Sequence, residues 1–379
     1  MEYDSWDNPK DFDISMNIYS HFGYGGWKLE NYHNNDLSIS CVNNDNSGDG
    51  DDGGGGDPGG GCPYLSPWNG TKYKQENNLL VQSEFQNGEV TDYYKLDTDL
   101  QQKNGNYSMK IDEFENSEDF IDQMKLYTLD HKPGYEVGVT PEGEYMTYKN
   151  SSPPEGAHNS TGDDVLSMIE QKNDGKRLQM NKGSEIIIDY GNRTMSHWTH
   201  NKLIIRSSGF ESFTDENDFQ LMWNPGDAYK TSLYVSLKAG DSDWHNVTCI
   251  HPRNHPHDHV IPLEDAIWEV LWENPNLDDL KVKIRSTKAH KIDYVGIDKS
   301  VSTPVIVQEA SLLETIKYDV NGDTIYQNRS LTEDDNAVMH LIPGESCTVN
   351  FAVPYQVPSH IFEERDFIVM TKGFYRKYS

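Results

Sequence analysis

At 379 residues the chain can hold two or three domains of ordinary size, and its 22 Tyr, 12 Phe and 8 Trp supply large apolar surfaces although hydrophobic residues make up only 35% of it. Against 32 Lys and Arg stand 62 Asp and Glu, a formal charge of −30 that repels a phosphate backbone and argues against nucleic acid as a partner. No apolar run approaches the roughly 20 residues of a membrane span, and the opening MEYDSWDNPKDFDISMNIY has neither the basic start nor the apolar stretch of a secretory signal.

Residues 1–41 alternate around Ile14, Met16 and Ile18 and again at Leu37 and Ile39, which predicts strands from the tail of a preceding β domain. Residues 42–61 are almost entirely Asn, Asp and Gly. Such a tract cannot recover the entropy of ordering and reads as a flexible linker. Its carboxylates Asp45, Asp49, Asp51 and Asp52 are hard oxygen ligands, so calcium is the alternative, although the loop spacing of a helix–loop–helix calcium site is missing.

From 62 to 150 the turn signals Asn69-Gly70, Asn87-Gly88, Asn104-Gly105, Pro133-Gly134 and Glu142-Gly143 separate runs such as YSMKIDEF and QMKLYTLD. That punctuation predicts a hairpin-rich antiparallel domain. Residues 151–163 read as a loop, and DDVLSMIEQK after it as a short helix with Asp163 and Asp164 in its first turn.

Across 164–300, runs such as SEIIIDYG, NKLIIRSSG, TSLYVSLKAG, WHNVTCIHPR, DLKVKIRST and HKIDYVGID predict a two-sheet, jelly-roll-like sandwich. One interruption, LEDAIWEVLWENP, carries Ile267, Trp268, Leu271 and Trp272 at helical spacing and predicts a small core-facing helix. Residues 301–379 read as strands closing over that sandwich. Within them KYDV-NG-DTIY predicts a hairpin with a type I′ turn. The expected fold class is therefore all-β, antiparallel sandwich or jelly-roll domains with one or two short helices.

Four cysteines, at 41, 62, 249 and 347, have no C-x-x-C spacing and do not read as a zinc or redox motif. Cys41 and Cys62 flank the linker, and a bond between them would close a loop of about 20 residues, worth roughly 2–4 kcal/mol. Cys249 and Cys347 sit in strand-like text and read as disulfide partners or as small buried hydrophobes.

Three passages resemble known modules. CPYLSPWNGTKYKQENNLLVQSE resembles the start of a C-terminal module that follows Gly/Asp/Ser-rich spacers in secreted or surface-attached archaeal proteins. TSLYVSLKAGDSDWHNVTCIHPRNH with HKIDYVGID resembles the jelly roll of galactose-binding-like domains, and IFEERDFIVMTKGFY the closing strand of the same module. The resemblance implies an exported, β-rich, non-catalytic module and transfers no functional residue. Possible glycosylation sequons at Asn69, Asn106, Asn150, Asn159, Asn192, Asn246 and Asn328 agree with export, and a signal is expected upstream in a longer precursor.

Two constellations could carry chemistry. HNVTCIHPRNHPHDHVIPLED brings His251, His255, His257, Asp258 and His259 close in sequence, and imidazoles two apart share a strand face, as zinc ligands could. Pro252 and Pro256 break regular pairing there, which favours an exposed, solvated loop. Trp198, Trp223, Tyr229 and Trp244 lie in or beside expected loops, where rings can stack on sugars while Asn and Asp bind hydroxyls, or else serve as core and rim aromatics.

G-x-S-x-G, H-E-x-x-H and the phosphate-cradling glycine loop are missing. The expected function is a non-catalytic extracellular or cell-surface module for adhesion, binding a cell-envelope glycan or a surface protein, with no cofactor. The alternative is a secreted metal-dependent or acid–base hydrolase built on the His251–His259 segment, with zinc or calcium.

Overall fold

Alternating text becomes pleated strands in the computed structural model, which describes residues 63–81, 89–114, 117–191, 200–209, 233–273, 279–286, 289–328, 331–333, 338–354 and 364–377. All belong to the second of the chain's two units, Asn44–Ser379. The strands expected before position 41, and the linker and calcium readings of 42–61, lie outside the described residues.

The first strands are β1 (Tyr64–Pro67), β2 (Val90–Lys95), β3 (Gln102–Lys103), β4 (Asn106–Asp112) and β5 (Ser117–His131). A hairpin follows, β6 (Glu136–Val139) and β7 (Tyr145–Tyr148). Next come β8 (Ser151–Ser152), β9 (Gly156–Asn159), β10 (Leu178–Met180), β11 (Glu185–Asp189), β12 (Lys202–Ser208) and β13 (Leu233–Ala239). They continue with β14 (His245–Ile250), β15 (His257–Pro262), helix α1 (Glu264–Glu273), β16 (Leu280–Ser286) and β17 (His290–Asp298). The last strands are β18 (Ile306–Ala310), β19 (Leu312–Tyr318), β20 (Thr324–Asn328), β21 (Met339–Leu341), β22 (Ser346–Phe351) and β23 (Glu364–Lys377).

Two antiparallel sandwiches result, one inserted into the other. In the outer one, a sheet ordered β1-β4-β22-β19-β20 packs on a sheet ordered β18-β5-β23-β2. Leu65, Met109, Ile121, Leu126, Val349 and Val369 meet between them, each such burial stabilising by about 1.5–3 kcal/mol. The chain leaves this sandwich after β5 and returns at β18. Between those points, apart from the β6–β7 and β13–β14 hairpins, successive strands alternate between a sheet ordered β10-β17-β12-β15, with β8 on β17, and one ordered β14-β13-β16-β11-β9. Ile188, Leu203, Val235, Ile284 and Val295 form their shared core, with Ala266, Ile267 and Val270 of α1.

The β6–β7 hairpin lies between the sandwiches and uses both of its faces. Val137, Val139 and Tyr145 pack with Leu129 and Ile368 on the outer sandwich. Met146 and Tyr148 pack with Ile204, Val260 and Tyr294 on the inserted one. Gly138 permits the approach: a Cβ there would stand 2.3 Å from Val260 Cγ2. Five layers are thus stacked, and the β14-β13-β16-β11-β9 sheet is a terminal one.

The structure corrects several local expectations. Strands of 301–379 pair with β5 and β4, not with the 164–300 sandwich: β23 runs along nearly all of β5, from Glu364 opposite His131 to Lys377 opposite Ser117. Alternation fixes which face a strand buries but not its partner. Here the register is set by Arg365, whose guanidinium forks onto buried Asp130 at 2.6 and 2.8 Å, and by Gly373, where a Cβ would meet the Phe120 carbonyl oxygen at 2.2 Å.

Residues 151–163 are not all loop, because β8 pairs with β17 and β9 with β11. DDVLSMIEQK yields only a 3-10 turn at Leu166–Met168, since the Ile169 carbonyl accepts from Val295 N–H of β17 at 3.0 Å instead of continuing a helix. Helix α1 forms as expected but buries Ala266, Ile267 and Val270, while Trp268 and Trp272 are exposed.

Candidate functional site

The histidine segment does not form an exposed loop. The link between β14 and β15 docks against the outer sandwich, with Pro252 and Arg253 buried. Burial is tolerable because the link's polar groups find partners there. Arg253 donates to Asp92 and to the carbonyls of Asn78 and Tyr93 at 2.6–3.1 Å. The backbone N–H of Asn254 and His255 donate to the side-chain oxygens of Asn78 and Asn77 at 3.0 and 2.7 Å.

Strand alternation then divides the proposed ligand set. Asp258 points with Val260 toward the seam and is held by Lys172 Nζ at 2.7 Å and Arg206 Nη1 at 2.9 Å. Burial pushes its carboxyl up, but the two cations win and hold it down at about 2. His257 and His259 share the other face, their rings 5.6 Å apart and perpendicular. The His257 ring lies against Tyr94 at 4.9 Å, with Nδ1 3.7 Å from Asp97.

Burial, then the neighbouring His257 and Arg253 charges, lowers His259 well below the usual imidazole value and keeps it neutral. His251 opens the link and His255 lies within it. Among the described residues no group of three or more His, Cys, Asp or Glu is assembled as a metal site. The seam's charges serve to join two sandwiches.

Of the four proposed sugar-stacking aromatics, Trp198, Trp223 and Tyr229 lie outside the described residues. Trp244 lies on the outer face of the terminal sheet. Inward residues Val235, Leu237, Val282, Ile284, Ile186 and Ile188 fill the core, so their strand neighbours face out. Cross-strand partners align Asn246, Ser236, Lys283, Ile187 and His158 in one row over β14, β13, β16, β11 and β9. A second row runs Cys249, Tyr234, Arg285, Glu185.

The β13–β14 turn folds the half-buried Trp244 back over this face, with Lys283 Nζ 4.5 Å and Lys238 Nζ 5.3 Å from its ring centroid. Helix α1 braces the turn: Glu269 and Glu273 flank His245 at 3.2 and 3.3 Å, and Glu273 accepts from the Asp243 N–H at 3.0 Å. Ser236 Oγ donates to Asn246 Oδ1 at 3.2 Å, and Asn246 and Arg285 are exposed. A ring bordered by amide, hydroxyl and cationic groups on a rigid sheet can stack a pyranose and bind its substituents. Sequence reasoning found Trp244 but missed Lys238, Lys283 and Arg285; the signal for the last two was KVKIR, where Lys281, Lys283 and Arg285 follow at period two in an acidic chain.

Cys249 is disulfide-bonded, and Cys347 is a free, fully buried thiol that burial pushes up to about 12. Cys41 and Cys62 lie outside the described residues. Among the sequons, Asn69 and Asn159 sit in turns where Thr71 and Thr161 hydroxyls donate to their side-chain oxygens at 2.9 and 2.7 Å. Asn150 and Asn246 are exposed, Asn106 begins β4, Asn328 ends β20, and Asn192 lies outside the described residues.

No helix among the described residues is long and apolar enough to cross a membrane. Comparison with protein-family models, curated proteins and solved structures gave no match for this chain.

Proposed function

We propose that this chain is a non-catalytic binding module of an extracellular or cell-surface protein, and that its ligand is a glycan of the cell envelope or of a surface partner, held on the outer face of the β14-β13-β16-β11-β9 sheet. The observation that carries the reading is Trp244, bent back over the outer sheet face beside Lys238, Lys283, Ser236 and Asn246. Rigid strands position it, as stacking on a sugar ring requires.

Two further features support an exported module. The disulfide at Cys249 fits an oxidising compartment, and the exposed sequon at Asn150, away from the binding face, is reachable by a glycosylating enzyme. The likeness to galactose-binding-like jelly rolls points the same way.

A glycan array probed with the wild-type chain and with Trp244→Ala tests the reading. Selective binding by the first and its loss in the second is the expected result; identical profiles for both would refute the site.

A further inference from the structure

Resting on the glycan reading above, we infer that the sugar this face recognises carries acidic groups: an anionic polysaccharide whose rings stack at Trp244 while its carboxylates or sulfates meet Lys238, Lys283 and Arg285. Charge complementarity argues for it. The chain has nearly twice as many acidic as basic residues, yet these three cations share one sheet face, with Lys283 and Arg285 two positions apart on β16, about 7 Å. Their neighbour Lys281 is neutralised by Asp279 at 2.7 Å.

Among the described residues no ion pair forms at Lys238, Lys283 or Arg285, although Glu185 lies directly across from Arg285. Two of the cations also rest near the Trp244 ring, so charge and stacking surface coincide. A row of this kind acts within about 8 Å at physiological ionic strength. Within that range it can hold an acidic sugar polymer although the chain as a whole carries −30.

The test uses the whole chain from a non-glycosylating host, so that Asn246 stays bare, and two matched polymer pairs in affinity electrophoresis. One pair is polygalacturonate and its carboxyl-reduced form; the other is dextran sulfate and dextran. Polyglutamate supplies charge without sugar rings. The inference expects retardation by at least one anionic polysaccharide, about tenfold weaker retardation by its neutral counterpart, none by polyglutamate, and weakening as salt rises. Which pair responds separates carboxylate from sulfate.

Lys283→Ala should weaken binding about tenfold and Lys238→Ala/Lys283→Ala/Arg285→Ala further, with melting unchanged. Equal binding to the neutral polymers, or a triple variant that binds like wild type while Trp244→Ala does not, overturns the inference and leaves the glycan reading standing. Polyglutamate bound as well as the polysaccharides overturns it in favour of an acidic protein partner. No binding to any of the polymers or to any arrayed glycan removes both readings together.

Discussion

Arg253 reaches from the inserted sandwich to fork onto Asp92 of the outer one, Nη2 to Oδ1 at 2.7 Å and Nη1 to Oδ2 at 3.0 Å, with the two side chains 4% and 3% exposed. Asp92 also accepts from Leu80 N–H at 2.7 Å, and the guanidinium lies 4.7 Å from the Tyr94 ring centre. A pair this enclosed is costly to desolvate, so its net contribution is modest. Breaking it is severe, because the remaining charge stays buried without a partner.

Arg253→Ala should therefore lower unfolding free energy by about 3–5 kcal/mol. Because the pair joins two cores, calorimetry should also resolve two transitions in the variant. Replacing both partners, Arg253→Met with Asp92→Leu, should recover most of the loss. A single unshifted transition in Arg253→Ala would show that the seam is held by other contacts.

Stability should fall with acid in two steps. His259 is neutral in the fold and its folded value is depressed, so the unfolded chain takes up the proton first; stability is full above about pH 6.5 and declines below it. Asp258, held at about 2, contributes roughly 2 kcal/mol above its unfolded value near 4, lost as pH falls toward 2. Denaturant titrations from pH 8 to pH 2.5 check both. Asp258→Asn should flatten the lower step and leave the upper one in place.

The cysteines give a covalent prediction. Under native conditions Cys347 should resist alkylation, and after denaturation without reductant it should react. Non-reducing peptide mapping should find Cys249 in a disulfide. Alkylation of Cys249 without prior reduction would contradict this.

Much of the fold was legible because pleated strands advertise themselves. KVKIR in β16 alternates in burial as it alternates in text, and Asn104-Gly105 closes a two-residue hairpin with both φ angles positive, 54° and 84°. Asn321-Gly322 shows the limit. Only Gly322 has positive φ, and the turn is a longer one in which Asp319 accepts from the Asp323 N–H at 2.8 Å.

Pairing across long separations was not legible. Nothing local in the β23 text names β5 as its partner, and Pro252 and Pro256 mark where pairing stops without revealing that Asn77, Asn78 and Asp92, some 160 to 180 positions earlier, bury the link. Trp244 was visible as an aromatic. Its cationic neighbours come from β13 and β16, and sheet order brings them together, which sequence spacing does not show.

The central claim is that the outer face of the β14-β13-β16-β11-β9 sheet is the binding surface, and hydrogen exchange with and without a glycan bound by the chain tests it most directly. Added protection should map to Leu233–Ala239, to Trp244 with the following His245–Ile250, and to Leu280–Ser286, the segments that carry Lys238, Trp244, Lys283 and Arg285. Protection centred instead on the seam around Asp97, His257 and Asp258, with the terminal sheet unchanged, would contradict it.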